Sequence, residues 1–172
     1  MRVVEGRVHI GEDAPAETPA YASVDAFVAE LDGASRPGTA VQAFDARYVA
    51  GRRHLETAVE HANRSMERGE NVADDRAVEI LCYAAGRRQI EQALEMGLEP
   101  GTSSVLVVVD GPDEKRVAEE VETVVAPDDA FGQTDPNLIA NYFDVTDPER
   151  AASDASLQSL VCERVALLDV EK

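Results

Sequence analysis

At 172 residues with 44% apolar side chains, the chain is long enough to bury a core and too apolar to remain disordered. Its 34 acidic against 16 basic residues leave a net charge of −18, which taken alone argues against a polyanionic partner, because phosphates are repelled at long range. No apolar run approaches the roughly 18 residues of a membrane span and Met1–Gly6 lacks the apolar stretch of a signal peptide, so a soluble, cytoplasmic protein without membrane contact is predicted.

Arg2 to Ile10 alternates, with Val4, Gly6, Val8 and Ile10 on one side, and reads as a strand. Gly11 to Pro19 is an acidic, proline-containing loop. Val24 to Leu31 is predicted helical, with Ser23 as N-cap and Gly33 just past the end. Thr39 to Phe44 reads as a second strand. A long helix is expected from Gly51 to Arg68, since Leu55, Ala58, Val59, Ala62 and Met66 recur at helical spacing. Ala77, Ile80, Leu81 and Ala84 mark the next helix, whose start carries Asp74 and Asp75, and Gly86 breaks or bends it. A third helix is expected to turn Ile90, Ala93 and Leu94 inward, with Gly97–Leu98 as its C-cap and Pro100 preventing continuation. The β-branched run Val105 to Val109 reads as a central strand. Asp113 to Val124 is expected to be helical and Ala126 to Pro136 a loop. Short helices are expected at Asn137 to Phe143 and after Pro148. A closing helix from Ala155 to Leu168 carries Leu157, Leu160, Val161, Val165 and Leu168 on one side. The fold class that follows is α+β: one domain over 1–172, with a small mixed sheet of about 3–5 strands covered by several helices.

Charge is unevenly placed. From Arg47 to Arg88 there are eight arginines against seven acids, a balance of +1, while the remainder carries −19. The i,i+4 spacings Arg52–Glu56 and Glu60–Arg64 suit helix-surface pairs, but pairing cannot absorb all eight cations. Only Lys115 and Lys172 are lysines. An acid-rich, lysine-poor surface suits an extremely halophilic, archaeal cell, in whose molar salt the Debye length falls to about 3 Å and net charge says little about partners. Recognisable catalytic chemistry is missing from the sequence: no phosphate-binding glycine loop, dinucleotide fingerprint or nucleophile elbow occurs. His54 and His61 share a helix face without the spacing of a metal pair, so neither a metal nor a cofactor is expected. Cys82 and Cys162 read as buried, inert thiols.

The stretch Glu79-Ile80-Leu81 followed by Gly86-Arg87-Arg88-Gln89-Ile90 resembles the signature of one family, the small non-catalytic subunit of the KEOPS tRNA-modifying complex, to which human TPRKB belongs. Phe44-Asp45-Ala46, Gly51-Arg52-Arg53-His54-Leu55, the Val105–Val109 strand and Glu163-Arg164-Val165-Ala166-Leu167-Leu168 are similar to the family in the same order. The resemblance implies a scaffold, not an enzyme and without a small-molecule substrate. Such a subunit docks on the complex's small atypical kinase, meets the other KEOPS subunits indirectly, and grips the single-stranded 3′ CCA end of a tRNA that receives threonylcarbamoyl-adenosine. Where the family commonly carries lysine, this chain carries arginine or no cation.

The residues accommodate that role. Unpaired RNA is held by stacking on aromatic or guanidinium planes and by reading exposed base edges, and arginine supplies both a plane and a bidentate fork. Arg52, Arg53 and His54 at the start of the long helix, with Arg87, Arg88 and Gln89 at the start of the third, form the expected RNA groove. The alternative for these positions is solvated helix ends with ordinary salt bridges. Tyr48 and Tyr83 are nearby aromatics, either stacking platforms or, the favoured reading, packing residues. Leu94, Met96, Leu98 and the closing helix are candidates for the kinase surface, although a core role suits each taken singly. Two competing functions stay open: a protein-only adaptor that regulates the kinase without touching RNA, and a free-standing enzyme with carboxylate chemistry.

Overall fold

The computed structural model describes residues 1–170 and is α+β, with eight α-helices and a five-stranded mixed sheet among the described residues. The chain divides into two compact units, 1–46 with 97–133 and 47–96 with 134–172.

The first unit is built on its longest strands. β1 (Arg2–Ile10) keeps its predicted bounds and pairs antiparallel with β4 (Gly101–Asp110) along its whole length, from Arg2 opposite Val109 to Ile10 opposite Gly101. That ladder explains why β4 begins four residues before the apolar run read from the sequence: the polar Gly101–Ser104 stretch is recruited by pairing, not by its own propensity. β3 (Ala40–Asp45) pairs antiparallel with the other edge of β4. Two short strands were not expected, one just past the Gly11–Pro19 loop and one at the start of the Ala126–Pro136 loop. β2 (Ala20–Tyr21) runs parallel to β1 at His9–Ile10, and β5 (Ala126–Pro127) runs antiparallel to it at Gly6–Arg7. The order is β2-β1-β4-β3, with β5 also on β1.

Alternation puts Val4, Val8 and Ile10 of β1, Val41 and Ala43 of β3, and Val105, Val107 and Val109 of β4 on one face. Phe27 and Leu31 of α1 (Val24–Ala34) and Val117 and Val121 of α5 (Glu114–Val121) complete this core. Burying each such side chain contributes about 1.5–3 kcal/mol. Gly6 is required by close approach: a Cβ there would lie 2.4 Å from a methyl of Val125. Ser23 caps α1 by accepting from the Ala26 N–H, as its sequence position predicts. Arg36, beyond the end of α1, reaches Glu120 of α5 with a bidentate pair of 2.8 Å hydrogen bonds.

The second unit is helical. α2 (Arg52–Arg68) packs on α3 (Arg76–Ala85) and on α8 (Leu157–Leu167), and α3 also meets α8. α3 is buried along Glu79–Ala85 without a break, wider than the stripe read from the sequence, which marks it as the central helix of this unit. α6 (Pro136–Tyr142) and α7 (Asp147–Ala152) are the two short helices expected over Asn137 to Phe143 and after Pro148. In α8, Leu160, Val161, Val165 and the following Leu168 are buried as expected, while Leu157 is only partly so.

The third helix differs from expectation. α4 (Ile90–Ala93) is a single turn continued by a 3-10 turn over Leu94–Met96. Ala93 and Met96 face inward, whereas Ile90 is 40% and Leu94 57% exposed. The small Ala93 lets the turn approach closely; the apolar period was present but rotated by one position.

Candidate functional site

The candidate residues all belong to the helical unit, and its local structure explains where each one lies. Gly51 precedes α2 with no side chain to cap it, so the first-turn N–H groups are satisfied only in part, His54 N–H bonding back to Gly51 O at 3.1 Å. Arg52 and Arg53 are exposed on this turn. Arg53 lies 3.3 Å from Glu60 and 3.6 Å from Glu56, contacts of the weak surface kind.

α3 ends where Gly86 adopts the left-handed conformation, φ 59°, with its N–H and that of Arg87 returning to carbonyls of the last turn. Arg87 and Arg88 therefore sit in the link between α3 and α4 and do not open a helix, a correction to the sequence reading. Gln89 is the residue that caps α4, and its side-chain oxygen accepts from Gln92 at 2.7 Å. A one-turn helix has no useful dipole, so any ligand here is met by side chains.

His54 is a second correction. It has no exposed surface and cannot line a groove. Its Nδ1 accepts from the Ala50 N–H at 3.1 Å and its Nε2–H donates to Ala84 O at 2.7 Å, which fixes a neutral imidazole in one tautomer. Burial pushes its pKa down to about 4, against the opposing pull of the Ala84 carbonyl. Phe143 packs edge-on to the ring. The imidazole thus ties the backbone just before Arg52–Arg53 to the backbone just before Arg87–Arg88. It braces both segments from inside, with no surface of its own.

The arginines are not equivalent. Arg87 donates to Tyr142 O at 2.7 Å, its guanidinium lies 5.1 Å from the Tyr142 ring centre, and Asp144 is 3.9 Å away. This guanidinium is already holding α6. Arg88 is partly exposed and its side chain makes no hydrogen bond or ion pair among the described residues. Tyr48 and Tyr83 are both buried. Tyr48 meets Tyr142 edge-on, and Tyr83 donates to Asp169 at 2.6 Å, so both are packing residues.

Sequence reasoning missed the cluster around Asp169. Its carboxylate accepts from Tyr83 and lies 2.7 Å from His61 Nδ1, with Arg64 at 3.8 Å. Burial alone would raise the Asp169 pKa, yet the Tyr83 and His61 hydrogen bonds and the Arg64 charge outweigh it and leave it below the ordinary carboxylate value. No local signal could have paired residues 108 positions apart. Buried Glu79 accepts from the Val72 and Ala73 N–H groups at 3.0 and 2.9 Å, closing the α2–α3 link. Burial, with Glu79 adding, raises the Cys82 thiol to about 11, an unreactive value. Among the described residues no three His, Cys, Asp or Glu side chains gather to hold a metal ion, and no helix is long and apolar enough to cross a membrane.

Apolar side chains are exposed on the same unit. Ile90 and Leu94 lie on neighbouring turns, Leu167 ends α8 and Val170 lies in the turn after it. Of the residues considered for a partner surface, Leu94 is exposed, Leu98 partly buried and Met96 wholly buried.

A family model described as Kinase binding protein CGI-121 matches residues 28–169, from within α1 to the turn after α8. No curated protein matches the chain closely enough to count. With most of its length covered by that match, the chain belongs to the CGI-121 family of kinase-binding proteins.

Proposed function

We propose that this protein is a non-catalytic, cytoplasmic subunit of a KEOPS complex making threonylcarbamoyl-adenosine on tRNA, where it binds the complex's small atypical kinase directly, the other subunits indirectly, and the single-stranded 3′ CCA end of tRNA. The observation that supports the RNA half is the His54 staple between Ala50 and Ala84. It draws together two arginine-bearing backbone segments in a chain otherwise dominated by carboxylates. Arg52, Arg53, Arg88 and Gln89 are the residues offered to RNA. Arg87 and His54 serve as their support. Guanidinium planes can stack on unpaired bases and Gln89 can read a base edge. In molar salt the counterion-release contribution shrinks, so stacking and hydrogen bonding must carry the affinity.

The exposed Ile90 and Leu94 favour a second reading, in which this face binds the kinase and RNA is never touched. Single Arg88→Glu and Arg52→Glu variants separate the two. Stacked or base-reading contacts contribute about 1–3 kcal/mol each, so tRNA affinity is expected to fall about tenfold for either variant with thermal stability unchanged. If both variants bind tRNA as the wild type does, the RNA reading is wrong and the adaptor reading stands.

A further inference from the structure

β1 is paired on one side from end to end but on the other side only in part. β4 occupies the first edge over Arg2–Ile10. On the second edge β2 takes His9–Ile10 and β5 takes Gly6–Arg7, which among the described residues leaves Arg2–Glu5 without a neighbouring strand. The direction of the unused groups follows from the period of two. Across this edge the His9 N–H donates to Pro19 O and the Gly11 N–H to Tyr21 O. Odd positions therefore face outward, and Val3 and Glu5 present both N–H and C=O there. Such a row is a template for a further strand.

A groove of about 420 Å³ runs beside this edge, lined by Val3, Val4, Glu5, Glu122, Val125 and Pro127. Its walls are valine and proline, and its two charged groups are both carboxylates. Glu5 also accepts from the Phe131 N–H at 3.0 Å, which keeps its carboxylate in place at the rim. The unit that carries the groove has seventeen acidic and five basic side chains, a balance of −12. At contact distance, where salt screens least, Glu5 and Glu122 attract a cationic side chain, whereas a second copy of this edge would set its own carboxylates against them.

We infer that the Arg2–Glu5 edge of β1 docks an extended segment of a partner protein bearing arginine or lysine at alternate positions, which adds to the sheet as a strand. Main-chain pairing at Val3 and Glu5 supplies the register, the valine and proline walls take the apolar residues, and Glu5 and Glu122 select the charge. The site lies in the sheet unit, on residues other than those proposed above for RNA or kinase.

The test uses the full chain and two fluorescein-labelled hexapeptides, Arg-Val-Arg-Val-Arg-Val and Glu-Val-Glu-Val-Glu-Val. Fluorescence anisotropy should show the basic peptide binding at least tenfold more tightly. Hydrogen exchange on the wild type should slow at the Val3 and Glu5 amides when the basic peptide is bound. Val3→Pro removes an outward donor that the β1–β4 ladder does not use, and should weaken binding at least tenfold. Glu122→Arg should weaken it severalfold. Unchanged exchange at Val3 and Glu5 overturns the assignment, as does equal binding of both peptides or wild-type affinity in Val3→Pro. A dimer in sedimentation that Val3→Pro disperses would give the edge to a second copy and likewise overturn it. Should Val3→Pro fail to fold, the exchange measurement on the wild type decides.

Discussion

His54 holds its place by what it gives to its neighbours, and its chemistry makes that testable by pH. A buried imidazole with a pKa near 4 binds fewer protons than the same group in the unfolded chain, whose value is about 6.5. Stability due to this group is therefore whole above pH 6.5 and is lost as pH falls from 6.5 towards 4. The shift corresponds to about 3 kcal/mol across that window. In His54→Leu the Ala50 N–H and Ala84 C=O lose their partner, and stability at pH 7 is expected to drop by about 2–4 kcal/mol. Urea unfolding at pH 7 and pH 4.5 should also show a smaller pH dependence in the variant than in the wild type. Equal dependence would mean that the imidazole is not held neutral. The sequence placed His54 correctly at the start of α2 but assigned it to the RNA groove with the two arginine pairs, whereas it is wholly buried. Its long-range partner Ala84, thirty residues on, left no local trace.

Helix stripes, caps and breakers were read well because each depends on a few adjacent residues. The bounds of β1, the buried faces of α2 and α8, and the end of α3 at Gly86 are such cases. β2 and β5 were not legible, since two-residue strands exist only through their pairing with β1. The inward face of α4 was misjudged for a similar reason: which of two apolar faces turns inward is settled by the helix it packs on. Two expectations belong at this scale. Gly86→Ala forces a side chain into φ 59° with only ordinary contacts around its Cβ, so the loss comes from the backbone and should be about 1 kcal/mol in urea unfolding. A stability equal to wild type would show that the C-cap conformation is not required. In the 3-10 turn that follows α4, Leu94→Glu should leave stability within about 0.5 kcal/mol of the wild type. Leu94→Glu should also weaken capture of the partner kinase at least tenfold if this exposed face is the kinase surface. Undiminished capture would move that surface elsewhere, with the end of α8 next in line.

At the scale of the whole molecule, charge is divided unevenly between the two units. The sheet unit carries −12 and the helical unit −6, although the two have equal numbers of acids. The difference lies in the arginines between Arg47 and Arg88, eleven cations in all standing on the helical unit. Composition alone gave the strong acidity, and pattern gave the arginine segment. Neither could say that one of its arginines is spent on α6 and another is left partly open. Membership of a kinase-binding family rests on the matched length, while the RNA half of the proposal rests on the His54 staple and the partly open Arg88 beside it. The direct test compares binding of intact tRNA with the same tRNA trimmed of its 3′ CCA, by gel shift in molar KCl. Trimming is expected to weaken binding at least tenfold; indistinguishable affinities for the two forms would contradict the proposal.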